Sequence, residues 1–233
     1  MRKLFAVLLT LALVLGLSAA LADQTVTVTG SGEVLVTADT AVVSLGVSIR
    51  KPDALQAQSA ANEVIAAIRT ALAGAGFSEE DVSTGYVSLW GVYDYNGVTE
   101  TITAYNASST LAVRVTDMAR VGEVIDLAFG AGANTLDGVQ FSVSDDAAAR
   151  EQAMKKAVED AKTKAAILAE AAGIGELEVK SVQDGNVYSY ESGINNFSMK
   201  VGGAVTEDAL SPTLINAAKI SVTASVTIVF EAK

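Results

Sequence analysis

Hydrophobic and polar positions alternate strictly at both ends of this chain. Val26 and Val28 are set among Thr25, Thr27 and Thr29, the period of a half-buried strand. The closing stretch places Ile220, Val222, Ala224, Val226, Ile228 and Phe230 against Ser221, Thr223, Ser225 and Thr227. Between these ends the period changes several times. Val43, Leu45, Val47 and Ile49 predict a second strand, which Pro52-Asp53 ends while opening a helix, with Asp53 near its cap. Ala57, Ala61, Val64, Ile68 and Leu72 recur at helical spacing until Gly74 and Gly76. Val82 to Tyr93 reads as extended, Asn96-Gly97 is a strong hairpin turn, and Thr99 to Val115 runs back. Asp117 to Phe129 predicts a second helix ended by Gly130 and Gly132, and Val139 to Val143 a short strand. Ser144 or Asp145 then caps the longest helix, to about Ala172, with Ala153, Ala157, Ala161, Ala165, Leu168 and Ala172 as its buried stripe. Glu178 to Tyr190 is a strand and Ser192 to Pro212 a polar loop.

Strands, helix, hairpin, helix, strand, helix and strands in that order predict an α+β fold. Its economical packing is a largely antiparallel sheet with the helices on one face. No linker rich in Pro, Gly or charge divides the chain, so residues 23–233 are expected to form a single domain.

Residues 1–22 differ in kind. Arg2 and Lys3 precede the uncharged apolar run Leu4 to Leu17, and Ala20-Leu21-Ala22 offers a small-x-small cleavage site before Asp23. The run is shorter than the roughly 20 residues a membrane span needs, so the pattern predicts a cleaved signal peptide and no membrane span afterwards. The expected location is the periplasm, cell envelope or exterior. Removing Arg2 and Lys3 leaves 14 basic residues against 27 acidic ones and moves the formal charge from -11 to -13. Such a surface repels phosphates, which argues against nucleic-acid partners.

The chain has no histidine and no cysteine. Ser-His-Asp triads, cysteine nucleophiles, thiolate zinc sites and His-metal sites are therefore impossible within one copy. Three short patterns remain. Gly30-Ser31-Gly32 has the look of a phosphate loop, but no helix follows it, and a glycine bulge or bend between two strand segments is the expectation. Ser48-Ile49-Arg50-Lys51 has Ser-x-x-Lys spacing but sits at a strand end rather than a helix start. The acidic clusters Glu79-Glu80-Asp81 and Asp145-Asp146 lie where a turn or helix begins, and capping explains them. No catalytic residue, metal ligand or cofactor site is expected. Aromatics gather around the hairpin: Tyr86, Trp90, Tyr93, Tyr95 and Tyr105. Of these, Trp90, Tyr93 and Tyr95 are the candidate interface, since such side chains combine area with a polar handle; cross-strand packing is the competing reading.

Val26 to Glu33 followed by Asp39 to Val47 resembles the start of SIMPL-domain proteins, the YggE-like group. Ala104 to Ser108, Gly132-Ala133-Asn134 before Gly138-Val139, the alanine-rich helix from Ala147 and the closing Val222 to Thr227 strand match in the same order. The resemblance covers about Thr25 to Phe230. It implies an exported α+β protein, in some members assembled into ring- or channel-like oligomers. Some members are tied to oxidative-stress defence or are surface antigens, and a eukaryotic relative binds a signalling kinase. The family brings no established catalytic residues. The leading expectation is thus a non-enzymatic exported protein that forms homo-oligomers or binds an envelope protein partner. The alternative is a monomeric small-ligand or peptide binding module using the hairpin aromatics.

Overall fold

The computed structural model describes residues 24–95, 100–191 and 212–233. The expected signal peptide, the Asn96-Gly97 turn and most of the predicted polar loop lie outside the described residues. Seven strands and three α-helices are present among those described, in two antiparallel sheets, so the α+β expectation holds. The strands are β1 (Thr25–Thr37), β2 (Thr40–Lys51), β3 (Val82–Tyr95), β4 (Glu100–Val115), β5 (Thr135–Ser142), β6 (Leu177–Glu191) and β7 (Lys219–Ala232). The helices are α1 (Ala54–Gly74), α2 (Val121–Gly130) and α3 (Ala147–Ala172). The chain forms two compact units whose boundaries fall inside β1, β6 and β7. One takes 24–34, Ala147–Ser189 and Val222–Lys233; the other takes Leu35–Asp146, 190–191 and 212–221.

The second unit is built on a four-stranded sheet in the order β3-β4-β2-β5. β2 pairs with β4 from Ala41 opposite Val115 to Lys51 opposite Tyr105. Alternation puts Ala41, Val43, Leu45 and Val47 on one face, where Leu111 and Val113 of β4 join them. Ile68 and Leu72 of α1 and Val121 and Val124 of α2 close over that face. α1 begins where Asp53 accepts the amides of Leu55 and Gln56, and beyond its end Gly76 takes a positive φ. The second helix starts later than its sequence pattern suggests. Asp117 caps a short 3-10 turn at Met118–Arg120, and α2 follows. Arg120 joins α1 to α2, lying 4.1 Å from the Phe77 ring centroid and donating to the Ala75 carbonyl at 2.8 Å.

The first unit packs α3 on the sheet β1-β7-β6. Here the glycine expectation fails: β1 runs unbroken through Gly30-Ser31-Gly32. A Cβ on Gly30 would lie 2.0 Å from the Ala157 carbonyl oxygen, and one on Gly32 2.1 Å from that of Ala153. These glycines exist to let a helix touch a strand backbone to backbone, not to bend the strand. The buried stripe of α3 is correspondingly all alanine: Ala149, Ala153, Ala157, Ala161, Ala165 and Ala169. Leu168 and Ala172, expected on it, are exposed, because a strict four-residue step drifts about 40° per step round the helix and carries the stripe to Ala169.

Candidate interaction surface

The unit 2 sheet has one face under helices, and its other face is lined by small polar groups. Ser48 sits at their centre. Asn106 Nδ2 donates to Ser48 Oγ at 2.9 Å, and Ser108 Oγ donates to it at 3.1 Å. Asn134 grips the same residue from β2's other side, accepting from the Ser48 amide at 2.8 Å and donating to its carbonyl at 3.0 Å. Asn106 and Asn134, two residues of the motifs quoted above, thus lock β4 and the approach to β5 onto β2. Alternation points Ser48 and Lys51 to opposite faces, so the Ser-x-x-Lys pattern forms no dyad.

The hairpin β3–β4 carries the aromatic cluster. Cross-strand partners share a face. Tyr86, Ser88 and Trp90, opposite Thr110, Ser108 and Asn106, lie on the polar face; Leu89, opposite Ala107, lies on the helix side with Val87. Tyr86, Val87, Leu89, Trp90, Tyr93 and Ile102 expose between 42% and 59% of their surface. Trp90 and Tyr93 therefore stand in solvent as a candidate interface requires. Tyr105 is instead half-buried against Val47, Ala57, Ala61 and Ala107, packed under α1. The Tyr95 side chain lies outside the described residues. Val87, Leu89 and Ile102 are exposed on the helix side of the same hairpin, and in the sequence they read as ordinary strand hydrophobics.

β3 ends the sheet, so one of its edges is unpaired among the described residues. The Tyr86 amide donates to Thr110 Oγ1 and the Val92 carbonyl accepts from Thr103, both inward toward β4. By alternation the N–H and C=O groups of Val87, Leu89 and Gly91 point outward. Backbone irregularities at Thr84/Tyr86 and Val92/Tyr93 bound this stretch.

The first acidic cluster has structural work. Glu79, Glu80 and Asp81 form a 3-10 turn capped by Ser78, with Asp81 2.9 Å from Arg114. Ser144, one of the two expected caps of α3, is engaged by Asp39, whose carboxylate accepts from the Ser144 hydroxyl at 2.7 Å and amide at 2.8 Å. Those bonds hold the Asp39 carboxyl below its ordinary range, with a smaller contribution from Thr40. Among the described residues, no three acidic side chains gather as a metal site. An open groove of about 710 Å³ lies along α2 beside Thr213 and Leu214, and its Asp126 is already engaged by the Thr213 hydroxyl and amide. A second, of about 620 Å³, runs between Ala165, Ala169, Leu177 and Phe230. No described helix is long and apolar enough to cross a membrane.

Fold and surface define a class: an antiparallel α+β protein whose distinctive feature is an exposed aromatic strand edge. The chain belongs to the SIMPL family, described as a protein of unknown function (DUF541), whose model matches residues 26–230. It is 34% identical over 155 residues to the 26 kDa periplasmic immunogenic protein of Brucella melitensis, covering 64% of this chain and 62% of that one. It is 25% identical over 132 residues to the uncharacterized protein YggE of Escherichia coli K12, covering 57% and 54%. The chain thus spans less than two thirds of the length of these relatives. With periplasmic relatives of this similarity, it is an exported protein of the periplasm or cell envelope. None of these relatives is named as an enzyme.

Proposed function

We propose that this is a non-enzymatic exported protein that acts by self-assembly, using the β3–β4 hairpin, after residues 1–22 have served as a cleaved signal. The observation that carries the reading is the solvent-exposed run of Tyr86, Val87, Leu89, Trp90 and Tyr93 along an unpaired strand. Tyrosine and tryptophan are enriched at interfaces, and large exposed apolar patches mark binding surfaces. An envelope protein taking the same surface is the hetero-typic form of this reading. Any part in oxidative-stress defence is indirect, because a chain with neither cysteine nor histidine offers no thiol and no imidazole for redox or metal chemistry. The test is the mass of the exported protein by size-exclusion chromatography with light scattering. A discrete multimer is expected, and a strict monomer at every concentration overturns self-assembly.

One observation favours a second reading, a monomeric binding module. Trp90 and Tyr86 flank the Ser48, Asn106 and Ser108 cluster on one sheet face, an aromatic platform beside hydrogen-bonding groups. Under that reading Trp90→Ala abolishes ligand binding and leaves the mass unchanged; under self-assembly it lowers the mass.

A further inference from the structure

We propose that two copies join through β3 itself, as antiparallel strands related by a two-fold axis at Leu89, making one continuous eight-stranded sheet from two four-stranded ones. The inference rests on the self-assembly reading and specifies its contact.

The argument begins with how the protein treats its other sheet edges. A bare edge is a template for any other strand, and folded proteins blunt it with charge, bulges or brevity. β1 is also an edge, and α3 covers it: Lys164 donates to the Thr29 carbonyl at 3.1 Å, Asp160 accepts from the Ser31 amide at 2.8 Å, and Lys156 donates to the Glu33 carbonyl at 2.8 Å. β6 carries Glu178, Lys180 and Asp184 in its first half, and Arg150 of α3 reaches Ser189 in its second. β5 is the shortest of the described strands and is kinked beside Gly138, which holds a positive φ. β3 starts in the same defended way, with Arg69 donating to the Val82 carbonyl and to Thr84. From Tyr86 to Val92 the defence stops. Tyr-Val-Ser-Leu-Trp-Gly-Val contains no charge and no proline, in a chain of net charge -11.

That stretch is also self-complementary. Its midpoint is Leu89, and antiparallel pairing about Leu89 sets Val87 opposite Gly91, Ser88 opposite Trp90 and Tyr86 opposite Val92 of the other copy. Large side chains meet small ones. The outward N–H and C=O groups belong to Val87, Leu89 and Gly91, so in this register they meet their counterparts, and each exchanges both hydrogen bonds. The parity also keeps faces together: Leu89 meets Leu89 on the helix side, where the Ile102 side chain already lies over Gly91 and would receive Val87 of the second copy. Two acidic proteins can approach here because no like charges are opposed across the strands. A two-fold contact of this kind is closed, which limits it to a pair unless another surface joins the pairs.

Having no native cysteine makes the test clean. Leu89→Cys in the exported protein is expected to give a covalent dimer under oxidising conditions, since directly opposed residues in a hydrogen-bonded pair lie about 5.5 Å apart at Cα. Ser88→Cys mixed with Trp90→Cys should cross-link more completely than either alone. Leu89→Lys puts two like charges on the axis and is expected to halve the mass while circular dichroism stays that of the parent. Should the Lys variant misfold, the Leu89→Cys cross-link decides alone. A multimer without the Leu89 cross-link, and with its mass unmoved by Leu89→Lys, overturns this contact and leaves self-assembly standing. A parent that stays monomeric and forms no cross-link overturns both.

Discussion

Asp39 shows how much one exposed side chain can organise. Its carboxylate ties the turn after β1 to Ser144, just ahead of α3, and the hydrogen bonds that form the tie lower its pKa. A carboxyl whose folded pKa is depressed contributes stability that is fully present above its unfolded pKa and is lost as pH falls through the folded value. Asp39→Ala is therefore expected to melt a few degrees below the parent at neutral pH. The gap should close once the pH falls below the ordinary aspartate value of about 3.9 and through the depressed one. Melting curves of both proteins from neutral to acid pH check this. A gap that is constant with pH would assign the effect to lost packing. At this scale the sequence is partly legible. Asp53 was readable as a cap because a cap is local. The split between exposed Trp90 and Tyr93 and half-buried Tyr105 was not, because it depends on where the first turns of α1 lie over the sheet. The Asp39–Ser144 tie was equally hidden, since it joins residues far apart in the chain.

Elements in this protein are held by two different kinds of layer. α1 and α2 meet their sheet through Leu45, Leu111, Ile68 and Leu72, whereas α3 meets β1 through alanine and glycine. Gly30→Ala forces a methyl into the Ala157 carbonyl, and overpacking of this kind costs about 1–3 kcal/mol or more. Gly74→Ala, where nothing lies within 4 Å, is the matched control and is expected to be neutral or stabilising by up to about 1 kcal/mol. Denaturant unfolding of the two variants measures both; equal midpoints would contradict the close approach. The strand periods and helix spans were legible because periodicity is local. The role of Gly30 and Gly32 was not, since a bulge and a close approach leave the same glycines in a strand. The clue lay over a hundred residues away, in an alanine every fourth position.

For the whole molecule, charge is the term that opposes association. Exported copies, at formal charge -13, repel one another, and salt shortens the reach of that repulsion from about 30 Å at 0.01 M to about 8 Å at 0.15 M. Assembly through an uncharged edge is therefore expected to tighten as salt rises over that range, read as a higher mass at fixed protein concentration. Contacts built from opposed ion pairs would weaken instead. The interleaving of the two compact units was illegible from sequence order, because the unit around α3 is gathered from both ends of the chain and its middle. Its alanine–glycine layer has a thermal consequence. Contact made of methyl groups and backbone exposes little hydrocarbon when it opens, so each residue there adds little to the heat capacity of unfolding. Such a layer gives a shallow dependence of stability on temperature, a useful property in an exported protein that meets the warmth or cold outside its cell.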